Sequence, residues 1–217
     1  VTDPSMDTGI NIVLIEPDGE RSFITSNRGG LRQLRPEDID ISVFSQSDLL
    51  CFASIFVFPF FSPDDYARIF REAKKQNMIL CADMTKCKNQ ETVEDIREAL
   101  SCLDFVFPNL EEARMVTRRE DPDDVADAFL DCGVGHAVIK LGKKGCLIKS
   151  KNERLIVPAV PGVHCLDTTG AGDNFAAGFL SGLIKKQPLR ECGRIANETA
   201  GKCIAQMGAT AWIHTAG

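Results

Sequence analysis

The sequence predicts an α/β fold, a mostly parallel Rossmann-like sheet in a three-layer α/β/α sandwich. Three observations carry that expectation. Short apolar runs alternate with stretches of helical period, the pattern of successive βα units. The chain has 217 residues, 44% hydrophobic and 26% charged, which is enough to bury one core, so a single domain over residues 1–217 is expected. The candidate ligand motifs follow apolar runs or lie in the loops after them, and in open sheets of this kind ligands bind at the carboxyl ends of the strands.

The elements follow in order. Residues 9–16 and 21–26 flank Pro17, Asp18 and Gly19, a turn that predicts an antiparallel hairpin. Strand and helix then alternate: strand 49–53, helix 63–76, strand 78–82, helix 92–100, strand 105–107. Asn109 precedes LEEARMVT with Glu112 three residues on, the spacing of an N-cap and its capping box. A helix near 123–132 leads to the apolar run 137–141, the loop GKKG at 142–145 and a strand at 146–149, a second hairpin with exposed amides. A β-prone stretch, 158–166, ends in Asp167, and helices at 171–184 and 189–206 close the chain.

Residues 167–180, DTTGAGDNFAAGFL, carry the most chemistry. Gly170, Ala171 and Gly172 leave backbone amides unobstructed where the following helix presents its unpaired N–H groups and the positive end of its dipole, which makes an anion site. Phe175, Phe179 and Leu183 recur at helical spacing behind it. Asp173 is electrostatically misplaced beside an anion, unless its carboxylate faces a hydroxyl while the amides hold the oxygens of a transferring phosphoryl group. Read without context, Asp and Gly also suit turns and helix starts for purely structural reasons.

Composition removes several other classes. The net charge of -6, with no dense Lys/Arg cluster, argues against a nucleic-acid surface. The nine cysteines contain no CxxC pair and read as small core residues in a reducing compartment. The three histidines stand apart and are assigned no metal or nucleophilic role. No apolar run reaches the length of a membrane span and no leader or lipidation motif is seen, so no membrane partner is expected and the cytoplasm is the default location.

The segment 167–180 resembles the C-terminal signature of the PfkB, or ribokinase-like, family of carbohydrate kinases. Asn109 and Glu112 in FPNLEEARMVT are similar to that family's NxxE motif, and Gly142 and Gly145 fall where it has a nucleotide-contacting glycine loop. The resemblance implies an ATP-dependent kinase acting on a hydroxyl group of a small sugar or sugar acid. Asp173 would be the general base, with Gly170, Ala171 and Gly172 as the amide cradle. It implies ATP and Mg2+ as cofactors, with Glu112 on a magnesium-bound water and Asn109 orienting a phosphate oxygen. Lys140 (where many members have threonine), Gly142, Gly145 and Asn197 would hold the nucleotide.

The hairpin at 9–26 resembles part of the family's small β-lid, which would exclude water from the transfer; a purely structural hairpin is the alternative. Members of the family carry, before this lid, a segment with an early sugar-binding aspartate and glycine pair and central strands of the sheet. No equivalent is seen here, so these residues are expected to cover the later part of the family pattern. An apolar sheet edge that favours a homodimer follows from that expectation. A nucleotide-binding regulatory module without turnover is the alternative function. A dinucleotide-binding oxidoreductase ranks behind both, because no GxGxxG motif is present.

Overall fold

The structure is a computed structural model, and it describes residues 10–15, 21–25 and 33–215. These fall into two compact units. The first comprises residues 33–140 and 147–155, and the second residues 10–15, 21–25, 141–146 and 156–215.

The first unit is built on a six-stranded sheet of order β3-β4-β5-β6-β7-β8. Strands β3 (Leu49–Ile55), β4 (Ile79–Met84), β5 (Phe105–Val106) and β6 (His136–Lys140) are parallel, in registers such as Leu50↔Leu80, Ala82↔Val106 and Val106↔Ala137. Strands β7 (Cys146–Lys149) and β8 (Arg154–Val157) follow through connections of a few residues, too short for a parallel crossover, so the sheet is mixed at this end. The mostly parallel sheet flanked by helices is the fold class the sequence predicts. Both residues of β5 are buried, as are Leu80, Ala82, Val138 and Ile139, which is why these strands read as apolar runs and not as alternating patterns.

Each helix of this unit starts on a local signal. Helix α1 (Pro63–Lys75) begins at Ser62, whose hydroxyl accepts from the Asp65 N–H at 3.2 Å while Asp65 Oδ2 accepts from the Ser62 N–H at 3.0 Å. Pro63 occupies the first position, acids fill the first turn and lysines the last, and Tyr66, Ala67, Ile69, Phe70 and Ala73 form the buried stripe. Helix α3 (Leu110–Thr117) starts on the Asn109 and Glu112 capping box, and α4 (Pro122–Asp131) starts on Asp121.

Three expectations differ from what is observed. Helix α2 covers only Arg97–Leu100, because residues 92–97 fold through i to i+3 backbone bonds and through the Thr92 hydroxyl and N–H, both donated to Asp95. The 158–166 stretch holds no strand. Pro158 and Pro161 lack the N–H a ladder needs, and the strand lies just before them as β8. Short 3₁₀ turns at Pro36–Asp38 and Ile41–Gln46 were not expected.

In the second unit, β1 (Asn11–Ile15) and β2 (Arg21–Thr25) pair antiparallel from Asn11↔Thr25 to Ile15↔Arg21, as predicted for a hairpin. Its turn at Pro17, Asp18 and Gly19 lies outside the described residues. Helices α5 (Ala171–Ile184) and α6 (Leu189–Ile204) pack on each other, and α7 (Ala211–Thr215) follows. None of the nine cysteines is in a disulfide, and Cys81, Cys132, Cys146, Cys192 and Cys203 are buried, in keeping with their reading as core residues. Among the described residues no helix is long and apolar enough to cross a membrane.

Strand β8 is tied to α4 by Asp123, which accepts two bonds of 2.7 Å from Arg154 and lies 3.1 Å from Lys149. The Arg154 bonds hold its carboxyl down to about 2, below the ordinary aspartate value of 3.8. A depressed carboxylate contributes stability that is complete above the unfolded value and is lost as pH falls toward the folded one. Stability is therefore expected to decline between about pH 4 and pH 2 through this group. Urea midpoints compared at pH 6 and pH 3 should show a smaller drop for Asp123→Asn than for the unchanged protein.

Candidate active site

In the first unit, parallel β4, β5 and β6 bring their carboxyl ends side by side and carry Asp83, Asn109 and Lys140 with them. The Lys140 N–H donates to Pro108 O at 2.9 Å, and Asn109 and Lys140 form a further parallel bridge beyond the strands. Lys140 Nζ donates to Asp83 Oδ1 at 3.0 Å and Oδ2 at 2.8 Å, with side-chain exposures of 12% and 10%. Asp83 Oδ1 also accepts from the Met84 N–H at 2.8 Å. The Lys140 ammonium is thus held by a carboxylate and is not a free positive charge.

Asn109 and Glu112 cap α3 reciprocally. Glu112 N–H donates to Asn109 Oδ1 and Asn109 N–H donates to Glu112 Oε2, both at 2.9 Å. Burial pushes the Glu112 carboxyl above the ordinary glutamate value, against the pull of the Asn109 N–H and the Lys140 charge; Asp83 and Glu111 push the same way as burial. The structural and the functional readings of this pair are therefore compatible. One carboxylate oxygen serves the cap, and Oε1 has no protein partner among the described residues.

No cluster of three or more metal-ligating side chains occurs among the described residues. One or two carboxylates with oxygen-only chemistry nevertheless suit a hard cation that keeps most of its waters and takes phosphate oxygens. The residues present fit magnesium in that manner.

In the second unit, α5 begins at Gly170 in the left-handed region, φ +77°, where a Cβ would come within 2.5 Å of Ala209 Cβ. Glycine is required there both by the backbone and by the close approach. The N–H groups of Gly172 and Asp173 donate to no group among the described residues, while the Ala171 N–H goes back to Thr168 O. Gly170 is buried, Ala171 and Gly172 are half-buried, and the Asp173 side chain is exposed with no partner among the described residues. These are the features expected of an anion cradle beside an available carboxylate.

The turn is held from behind by residues to which the sequence reading gave no role. Asp167 is buried and accepts from Thr169 N–H and Gly208 N–H, both at 2.8 Å. Asn174 donates to Gly170 O and Ala209 O, each at 2.9 Å, and accepts from Trp212 Nε1 at 2.8 Å. An acid and an amide inside an otherwise apolar run were the available signals, because buried polar groups are retained where they hydrogen-bond. Asp83 offered the same signal at the end of ILCAD.

The glycine loop is a 3₁₀ turn, Gly142–Lys144, closed by Leu141 N–H to Gly145 O at 2.8 Å. Gly142 lies at φ +59° with open space around a Cβ, whereas Gly145 lies at φ +92° against the 157–159 backbone. Asn197 is buried on α6 and donates to Val157 O at 3.1 Å and Pro158 O at 3.0 Å. Its amide nitrogen holds the end of β8 beside the glycine loop. No described partner is donated to its amide oxygen.

The first unit is an α/β sheet with charged groups at its strand ends, and the second presents a glycine turn feeding an unpaired helix N-terminus, a backbone arrangement that can hold an anion. The chain belongs to the pfkB family of carbohydrate kinases, whose pattern matches residues 1–216. It is similar to the cytidine kinase of Thermococcus kodakarensis, 39% identical over 115 residues, which are 52% of this chain and 41% of that protein. A ribokinase of Arabidopsis thaliana is 27% identical over 215 residues, 93% of this chain and 53% of that one. The crystal structure of adenosine kinase from Sinorhizobium meliloti superposes with a TM-score of 0.79 at 30% identity, covering 96% of this chain and 66% of that one. The chain spans about half the length of the curated relatives it matches.

Proposed function

We propose that this chain carries the nucleotide and phosphoryl-transfer residues of an ATP-dependent kinase that phosphorylates a hydroxyl group of a sugar or sugar acid. The observation that carries the reading is the GAGD turn, where two unpaired amides stand at a helix N-terminus beside an exposed, unpartnered Asp173. In the transfer, the Asp173 carboxylate takes the acceptor's hydroxyl proton as the new O–P bond forms and the bond to the ADP oxygen breaks. The Gly170, Ala171 and Gly172 segment offers amides to the charge on the phosphoryl oxygens. Asn109 orients a phosphate oxygen and Glu112 holds a metal-bound water; magnesium supplies neutralisation of phosphate charge when bound.

Lys140, Gly142 and Gly145 face the nucleotide in this reading, and Asn197 keeps the 157–158 backbone in place beside the loop. The hairpin β1–β2 acts as a lid over the acceptor, and self-association through an uncovered sheet edge or hairpin face accompanies it. A cytoplasmic location agrees with nine cysteines none of which is in a disulfide. A silent nucleotide-binding module would have no use for an acid at the anion site, and Asp173 weighs against it.

Fructose, ribose, 2-keto-3-deoxygluconate and nucleosides are the candidate acceptors, and the relatives named cytidine kinase, adenosine kinase and ribokinase support one with a ribose-type hydroxymethyl group. A coupled ADP-release assay of the full-length protein over that panel tests the reading. Acceptor-dependent turnover supports it, and absence of turnover with every acceptor overturns it. Within that assay, Glu112→Gln should raise the magnesium concentration needed for half-maximal rate, with melting little changed. An unaltered magnesium requirement would reduce Asn109 and Glu112 to a helix cap.

A further inference from the structure

Helix α5 starts without a side-chain cap. Its N-cap position is Gly170, which has no side chain to accept from the first-turn N–H groups. Serine or aspartate at that position would consume an amide that an anion needs. Glycine leaves the Gly172 and Asp173 N–H groups available, but it also leaves the first turn without the usual anchor.

The anchor comes from inside the helix. Asn174, 9% exposed, donates from Nδ2 to Gly170 O and to Ala209 O, each at 2.9 Å, and Gly170 O also accepts from the Asn174 N–H at 2.9 Å. The other side of the same peptide is fixed as well, since the Ala171 N–H donates to Thr168 O at 3.1 Å. The plane of the Gly170–Ala171 peptide is thereby set, and with it the direction of the two amides that follow. Trp212 Nε1, on α7, donates to Asn174 Oδ1 at 2.8 Å and so orients the Asn174 amide. An asparagine amide turned by half a rotation would set its oxygen against two carbonyls, and the indole bond opposes that turn.

We propose that Asn174 is a positioning residue for phosphoryl transfer, and that Trp212 holds it in the orientation this requires. The inference rests on the kinase reading above, because it needs a transferring phosphoryl group at the Gly172 and Asp173 amides. Asn174 acts through those amides and not by contact with the reacting atoms. It keeps the two N–H groups aimed at one place, and charge that develops there is stabilised best by donors already in position.

Two variants separate the parts. Asn174→Asp keeps the size of the side chain and an acceptor for Trp212, but it sets an oxygen against Gly170 O and Ala209 O; kcat should fall by about 10- to 100-fold. Trp212→Phe removes the indole N–H and keeps an aromatic ring, and kcat should fall by about three- to tenfold. ADP carries no transferring group, so its dissociation constant should stay within about twofold in both variants. ADP with aluminium fluoride, which stands in the place of the transferring phosphoryl group, should weaken by about the same factor as kcat.

Steady-state kinetics of the full-length protein, with calorimetric titration of ADP in the presence and absence of aluminium fluoride and with melting followed in parallel, provides the test. A merely structural role would weaken ADP and its aluminium fluoride complex together. Matching falls in kcat and in affinity for the aluminium fluoride complex, at constant ADP affinity, support the inference. Near-normal kcat in a folded Asn174→Asp variant, or equal losses for the two ADP forms, overturns it while the kinase reading stands. If the unchanged protein turns over no acceptor, the kinase reading falls and this inference with it. If Asn174→Asp does not fold, Trp212→Phe decides alone, and an unchanged kcat there overturns the inference.

Discussion

Asp173→Asn is expected to lower kcat by roughly 10²- to 10⁴-fold in the full-length protein while changing ATP affinity far less. The substitution keeps the shape of the side chain and removes its capacity to take a proton. The structure separates this effect from a folding effect, because Asp173 is exposed and bonds to no described group. What the helix loses is one acid at the positive end of its dipole, worth about 0.3–1 kcal/mol. Removing a negative charge beside the amides should, if anything, help an anion to bind. Steady-state kinetics with calorimetric ATP titration measures both quantities, and near-normal turnover in the variant would remove Asp173 from the mechanism.

The largest effect on stability is expected at Gly145. Its backbone, φ +92° and ψ −126°, lies in a region that side chains do not adopt, and a Cβ there would collide with Val157 O and come within 2.6 Å of Ala159 N and 2.7 Å of Pro158 C. Val157 O and Pro158 O are the two carbonyls that Asn197 holds, so relief of the clash would also loosen α6 from the end of β8. Gly145→Ala should therefore cost at least about 3 kcal/mol in urea unfolding. Gly142→Ala is the control. Its φ is +59° and its Cβ has open space, so the cost should stay near 1–2 kcal/mol. Equal losses at the two positions would show that the backbone around Gly145 yields more easily than its contacts imply.

How much of this was legible beforehand depended on whether the signal was local. Helices α1, α3, α4 and α5 announce themselves through caps and periodicity that act within one or two turns, and α5 begins at Ala171 as read from GAGD. Strands β3 to β6 were visible as apolar runs because both faces of a covered parallel sheet are apolar. The short elements were not. Strand β8 is only four residues, too short for a period to show, and it is held by its neighbour in the sheet and by the Arg154 and Asp123 pair. The stretch after it has β-prone residues but two prolines that take no part in a ladder.

The site divides along the same line. Residue types and their spacing in the chain sufficed for Asp173, the small residues before it, and the Asn109 and Glu112 pair, because a helix N-terminus makes an anion site wherever it occurs. Only the tertiary structure decided that Lys140 spends its charge on Asp83, 57 residues away in the chain, and that Asn197 spends its amide on the end of β8. Such partners are chosen by strand register and helix packing. A sequence states which groups could pair; the fold determines which of them are brought within about 3 Å of each other.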